Sequence, residues 1–476
     1  MNAWPMILQG GMGVGISNWR LAQTVSRAGQ LGIVSGTAMD TLLVRRLQDG
    51  DPGGHMRRSM ARFPIPGIAA EVLKRYYRPE GLPAGTKYAL LPMFTQRVSA
   101  ARKEIAVLAS FIEVDLAREG HSGPIGVNLL TKVQFPNLAL LYGAMLAGVG
   151  YVVMGAGIPR EIPAVLDAFA THQPAALKLE VEDLPSDRTE EITFDPQQHW
   201  HGITLPPLQR PRFLAVIASN LLATVLARKA SGKVDGFVVE GPTAGGHNAP
   251  PRGAPVLNAK GEPVYGPRDE VDLAKLAELG LPFWVAGGVG SPEGLAAAIK
   301  AGAAGIQVGT LFAYCEESGL APEFKRSILA AVTRNEVEVL TDPRASPTGY
   351  PFKVVQWPGD PTAGVAEPRE RLCDLGYLRS TYVREDGRIG YRCSAEPVED
   401  YVAKGGKAED TVGRRCLCNA LLADVGHPQA RGKGRVEPPL VTSGDDLVSL
   451  GRFLGERTTY GAKDVLDYLL GGVAQA

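Results

Sequence analysis

A chain of 476 residues with zero formal net charge, 45% hydrophobic and 21% charged residues suits a soluble core of two or three domains, or one large barrel with additions. The balanced charge excludes a general polyanion-binding role, so no nucleic acid partner is expected. No apolar run reaches membrane-spanning length, no basic-then-apolar leader opens the chain, and the five cysteines form no secreted disulfide framework; these features predict a cytoplasmic protein with no membrane partner.

The first strand is expected at Pro5–Gln9, followed by the glycine loop Gly10–Gly15, a helix over Asn18–Ala28 and a second strand at Leu31–Ser35. Strand, loop, helix and strand form a βα unit, which predicts a parallel sheet. A dinucleotide fingerprint is not met, because Ile16 stands where its third glycine belongs and Ser35 where the acidic residue belongs. Residues 40 to 122 exceed a normal connection and read as a helical insertion, with a long helix over Arg97–Glu119. Between His55 and Arg78 stand six basic residues and one acid, Glu71, the pattern of a solvated helix face or a subunit contact, or else of a collar for an anionic substrate. The strand–helix rhythm resumes with Pro124–Leu130, a helix over Asn137–Ala147, the strand Tyr151–Met154 and a helix over Arg160–Ala170. A polar, proline-rich excursion covers residues 177 to 210; its His199 and His201 flank Trp200 without an acidic or cysteine partner at a specific spacing, so no metal is assigned.

Phe213–Ser219, Phe237–Glu240, Pro282–Gly288 and Ala304–Thr310 complete the count of eight strands that a TIM (β/α)8 barrel needs. The glycine loops after strands seven and eight occupy the phosphate end of such barrels, and backbone N–H groups of Gly287, Gly288, Val289, Gly309 and Thr310 are expected to converge there, with helix N-termini behind them. Beyond strand six, Gly245 and Gly246 lack a Cβ and let the backbone come close to a flat ligand. The titratable side chain that follows them is His247, a candidate for proton transfer near neutral pH.

Five motifs occur in order: Gln9-Gly-Gly-Met12, Gly126-Val-Asn128, Glu240-Gly with Ala244-Gly-Gly-His247, Ala286-Gly-Gly-Val289 and Gln307-Val-Gly-Thr310. Together they resemble the nitronate monooxygenase family, formerly called 2-nitropropane dioxygenases, whose superfamily also holds flavin-dependent enoyl-acyl carrier protein reductases. The resemblance runs from residue 5 to about residue 315, the two insertions excepted. It implies an FMN-containing TIM barrel in which Gly10, Gly11 and Met12 lie along the isoalloxazine and Asn128 hydrogen-bonds it. Ser219 and Glu240 would approach the flavin or its ribityl chain, the two glycine loops would hold its phosphate, and His247 would serve as the catalytic base. The activity implied is oxidation of a small nitronate or related carbon acid by dioxygen, in a protein that leaves room for a homo-oligomer. An enoyl-thioester reductase using NAD(P)H is the alternative, and a flavin-binding subunit of a larger assembly a third. Pro242-Thr243 and the run Asn248–Gly253 depart from the family pattern, so the substrate itself does not carry over.

Residues 1–330 are thus read as the barrel and 331–476 as a C-terminal accessory region. That region carries Cys373, Cys393, Cys416 and Cys418, which suit a structural metal or buried free thiols, and two amphipathic helices between Ser443 and Leu470 that pack back on the barrel.

Overall fold

In the computed structural model, which describes residues 4–362 and 369–471, eight parallel strands form one sheet. They are β1 (Ile7–Gln9), β2 (Gly32–Ser35), β3 (Ile125–Leu130), β4 (Tyr151–Gly155), β5 (Arg212–Ile217), β6 (Gly236–Glu240), β7 (Phe283–Ala286) and β8 (Gly305–Val308). Each pairs with its neighbour in chain order, and β1 pairs with β8. A bridge from Leu8 to Leu31, with Gln9 N–H donating to Leu31 C=O at 3.0 Å, joins β1 to β2 and closes the barrel.

The period-two alternation of a strand divides its side chains between two cores. Leu8, Ile33, Val153, Leu214, Val238 and Trp284 fill the barrel interior, where the Trp284 indole N–H donates to Pro5 C=O at 2.8 Å. Their strand neighbours, such as Phe213, Ala215 and Phe237, face outward to a second core shared with the surrounding helices. Burial on both faces explains why these strands read as continuous apolar runs.

Between β2 and β3 lie four helices, Met39–Gln48, His55–Met60, Ile68–Tyr76 and Ala100–Arg118. Three basic residues of this stretch are turned to acids: Arg57 pairs with Asp51, Arg58 with Glu119 and Arg62 with Asp115. The excursion before β5 is not helical. It is an antiparallel hairpin, Ala175–Lys178 with Glu191–Phe194, whose outer strand alternates buried and exposed residues. Its His199 and His201 both contact Glu104 Oε1, at 3.1 and 3.0 Å, so their partner comes from the long helix Ala100–Arg118 rather than from nearby sequence.

After β8 the chain makes the helix Pro322–Thr333 and an antiparallel pair, Glu338–Asp342 with Phe352–Gln356. The second strand of that pair runs beside the loop beyond β6: Lys353 N–H donates to Gly246 C=O at 2.9 Å and Asn248 N–H to Pro351 C=O at 3.0 Å. Farther on, the helices Leu450–Leu454 and Ala462–Gly471 bury Leu454, Val465 and Leu469 in the outer core. A buried ion pair, Arg102 with Asp40 at 2.6 Å, fastens the insertion to this tail, because Tyr377 OH donates to the same Asp40 carboxylate at 2.5 Å. No described helix is long and apolar enough to cross a membrane.

Candidate active site

The C-terminal ends of the strands open into a cavity of about 470 Å³. From β1 come Gly10, Gly11 and Met12; from β3, Asn128; from β6, Glu240 and then Gly245, Gly246 and His247; from β7, Gly287, Gly288 and Val289; from β8, Gly309 and Thr310. Ser219 is the anticipated residue that does not line it. Its hydroxyl instead caps the helix Asn220–Lys229, accepting from Leu222 N–H at 3.1 Å. Asn128 Nδ2 donates to Gly11 C=O at 3.2 Å, which fixes the β1 loop against β3.

Gly287 and Gly288 adopt φ of +89° and +68°, a left-handed conformation that turns the chain sharply after β7. Gly245 has a different reason. A Cβ there would stand 2.8 Å from the Ser443 carbonyl carbon and 2.9 Å from Gly444 N, so this glycine makes room for the tail rather than for a ligand. The tail segment Thr442–Asp446 therefore belongs to the cavity wall, with Gly246 N–H donating to Thr442 Oγ1 at 2.9 Å.

At one end of the cavity, His247 Nε2 lies 2.6 Å from Ser346 Oγ, which in turn lies 2.8 Å from Thr348 Oγ1. The imidazole packs edge-on against Phe352, ring centroids 4.9 Å apart. Burial, and secondarily the nearby Lys132 ammonium, push it down to about 3, so it is neutral at pH 7 and a weak base. Residue type alone suggests proton exchange near neutral pH, and burial lowers the imidazole from that range. Burial also lowers the Lys132 amine, to about 7. Its Nζ lies over the ring of Tyr350, a cavity residue, with no hydrogen-bond partner among the described residues.

The rest of the lining is acidic where it is charged at all. Glu240, Asp424 and Asp446 face the cavity, and no lysine or arginine lines it. Burial lifts the Glu240 carboxyl to about 7 and the Asp424 carboxyl to about 8. Two buried acceptors of the wall, Asn248 Oδ1 and Gln307 Oε1, lack a partner among the described residues.

The match to a known family falls on the part of the chain that carries β5 to β8. Residues 205–345 match the family described as nitronate monooxygenase. A segment of 98 residues is 40% identical to a probable nitronate monooxygenase of Bacillus subtilis (strain 168). Over these stretches the chain is similar to nitronate monooxygenases. The aligned segment is 21% of this chain and spans about a quarter, 26%, of the Bacillus protein. Among solved structures, FabK from Thermotoga maritima aligns with 99% of this chain and 94% of its own, at 18% identity and a TM-score of 0.46. A nitroalkane oxidase from Streptomyces ansochromogenes aligns with 99% of this chain and 96% of its own, at 16% identity and a TM-score of 0.47.

Two features near the cavity escape sequence reading. Lys132 follows a strand end, the position where barrel enzymes keep functional side chains, and that was its available signal. Asp446 lies 136 residues beyond Thr310, its hydrogen-bond partner, with no local pattern to mark it. The four late cysteines do converge: Cys373, Cys393, Cys416 and Cys418 line one cavity of about 10 Å³, as free thiols. Among the described residues, however, no group of three or more His, Cys, Asp or Glu side chains is placed to hold a metal ion.

Proposed function

We propose that the protein is an FMN-dependent oxidoreductase of the nitronate monooxygenase type, acting on a small substrate that reaches the site as an anion. The observation that carries this reading is that one cavity at the strand ends joins two glycine loops with the half-buried imidazole of His247, while the Lys132 ammonium lies over the ring of the wall residue Tyr350. The residues present suit FMN. The volume of about 470 Å³ lies within the range of cofactor pockets. A Cβ on Gly287 would stand 2.9 Å from Ala244 N and Thr243 Oγ1, so the bare backbone turn is obligatory there. Asn248 Oδ1 and Gln307 Oε1 are acceptors without an internal partner, which suits a ligand carrying N–H and hydroxyl donors.

In this reading the N–H groups of Gly287, Gly288, Val289, Gly309 and Thr310 hold the phosphate. Gly10, Gly11, Met12 and Asn128 flank the ring system, Gly245 and Gly246 border it, and Glu240 faces the ribityl hydroxyls. When bound, FMN supplies the two-electron centre that accepts electrons from the substrate carbon, with dioxygen as the final acceptor. Lys132, protonated below about pH 7, offsets the negative charge of a nitronate. His247, oriented by Ser346, offers a neutral hydrogen-bonding edge. An imidazole held near 3 is a poor base for a neutral carbon acid, so the already ionised nitronate is the better substrate.

The Lys132 proton also favours a second reading, an enoyl-thioester reductase drawing on NAD(P)H. Reduction of an enoyl thioester needs a proton at the α-carbon, and an amine at about 7 can donate one at neutral pH. Anaerobic titration of the FMN-loaded protein separates the two. Bleaching of the flavin bands by propane-2-nitronate, and not by NADPH, is the expected result; bleaching by NADPH alone moves the assignment to the reductase. A protein that takes up no FMN at all defeats both.

A further inference from the structure

The glycine cradle contains an acid that does not come from the barrel. Asp446 stands on the tail segment that Gly245 admits, and its Oδ1 lies 2.5 Å from Thr310 Oγ1. Its other oxygen would stand 3.2 Å from a Cβ on Gly290, so the carboxyl sits between the loops after β7 and β8. Thr310 Oγ1 also accepts from Gly444 N–H at 3.2 Å. A hydroxyl has one proton to give. While Asp446 is ionised, Thr310 spends that proton on the carboxylate and turns no donor toward the cradle. Once Asp446 is protonated it becomes the donor to Thr310, and the threonine proton is released toward the cavity.

We propose that Asp446 is a cofactor-selectivity residue: as a neutral acid it frees Thr310 to donate to the cofactor phosphate, and as a carboxylate it withdraws that donor and repels the phosphate. The inference rests on the FMN reading above and adds a dependence that the glycine loops alone would not have. Burial raises the Asp446 carboxyl above the ordinary aspartate value, which brings the switch closer to neutral pH. The groups facing it are Asp445, paired with Lys353 at 2.6 Å, and the phenols of Tyr314 and Tyr460. Burial pushes both phenols up, so they stay neutral through the working range. Glu240 and Asp424 are the other carboxyls of the cavity, and their ionisation is felt by any flavin, with or without a phosphate.

The test is equilibrium binding of FMN and of riboflavin to the flavin-free protein, read by flavin fluorescence across pH. For the wild-type protein, FMN affinity is expected to fall about tenfold for each pH unit above the Asp446 transition, while riboflavin affinity does not share that slope. Asp446→Asn keeps a donor to Thr310 without the charge and should remove the FMN-specific slope, binding FMN more tightly than wild type at high pH. Asp446→Ser, smaller and equally neutral, repeats the measurement if the amide does not fold. An unchanged FMN slope in the neutral variants overturns the role of Asp446 while leaving the FMN site intact. Equal affinity for FMN and riboflavin at every pH overturns the phosphate assignment beneath it, and binding of neither flavin overturns the proposed function itself.

Discussion

The two ends of the cavity are built on opposite plans. At the β7 and β8 loops the proposed ligand contacts are backbone N–H groups presented by glycines, and the charged side chain nearby is an acid, Asp446. At the His247 end the wall carries an imidazole bonded to the distant Ser346, and the Lys132 ammonium lies over the ring of the wall residue Tyr350. A backbone cradle depends on conformation, so a single side chain added there disrupts the geometry itself. A side-chain cluster depends on charge, so its members are expected to fail by degrees and with a pH signature.

The largest break in this contrast is expected from Gly288→Asp. The new carboxylate faces the proposed phosphate from a residue at φ +68°, and FMN affinity should drop by more than about a hundredfold. A variant still yellow after dialysis would contradict the cradle. Next comes Lys132→Met, which removes the ammonium and keeps the length. Turnover of a nitronate should fall about a hundredfold at pH 6 with FMN still bound. The wild-type rate should decline as pH rises through about 7, where Lys132 loses its proton, and that limb should vanish in the variant. A limb that persists assigns the transition to Glu240 or Asp424 instead. His247→Ala should cost less, about tenfold, because a neutral imidazole orients but does not abstract. A loss of several thousandfold would restore it as the base and erase the difference between the two ends. Ser346→Ala, which frees the imidazole ring and the Thr348 hydroxyl, should cost about threefold, measured as kcat/KM.

The barrel was legible because each of its strands is an apolar run closed by glycine or by a polar residue, and both signals are local. The expected strand Pro282–Gly288 contains the observed Phe283–Ala286, and the surplus is the glycine turn itself. What was not legible depends on chain crossings. Glu104 reaches His199 across 95 positions, and Gly245 is bare because Ser443 packs there, a reason no periodicity contains. The surroundings of His247 were hidden for the same cause: its residue type suggests a proton carrier near pH 7, while Ser346, which bonds it, stands 99 positions away.

The Arg102–Asp40–Tyr377 network has a consequence for how this protein can be divided. Its charged members lie in the insertion that follows β2, and its phenol belongs to the tail and reaches the cavity wall. Cutting the tail away would strand an ionic couple whose side chains are 2% and 1% exposed, and would also leave the ligand chamber without one side. The tail is therefore no appendage to be shuffled onto other barrels or shed by proteolysis without loss. Lineages that alter it must alter the chamber as well, so the tail is where divergence of ligand choice would leave its record.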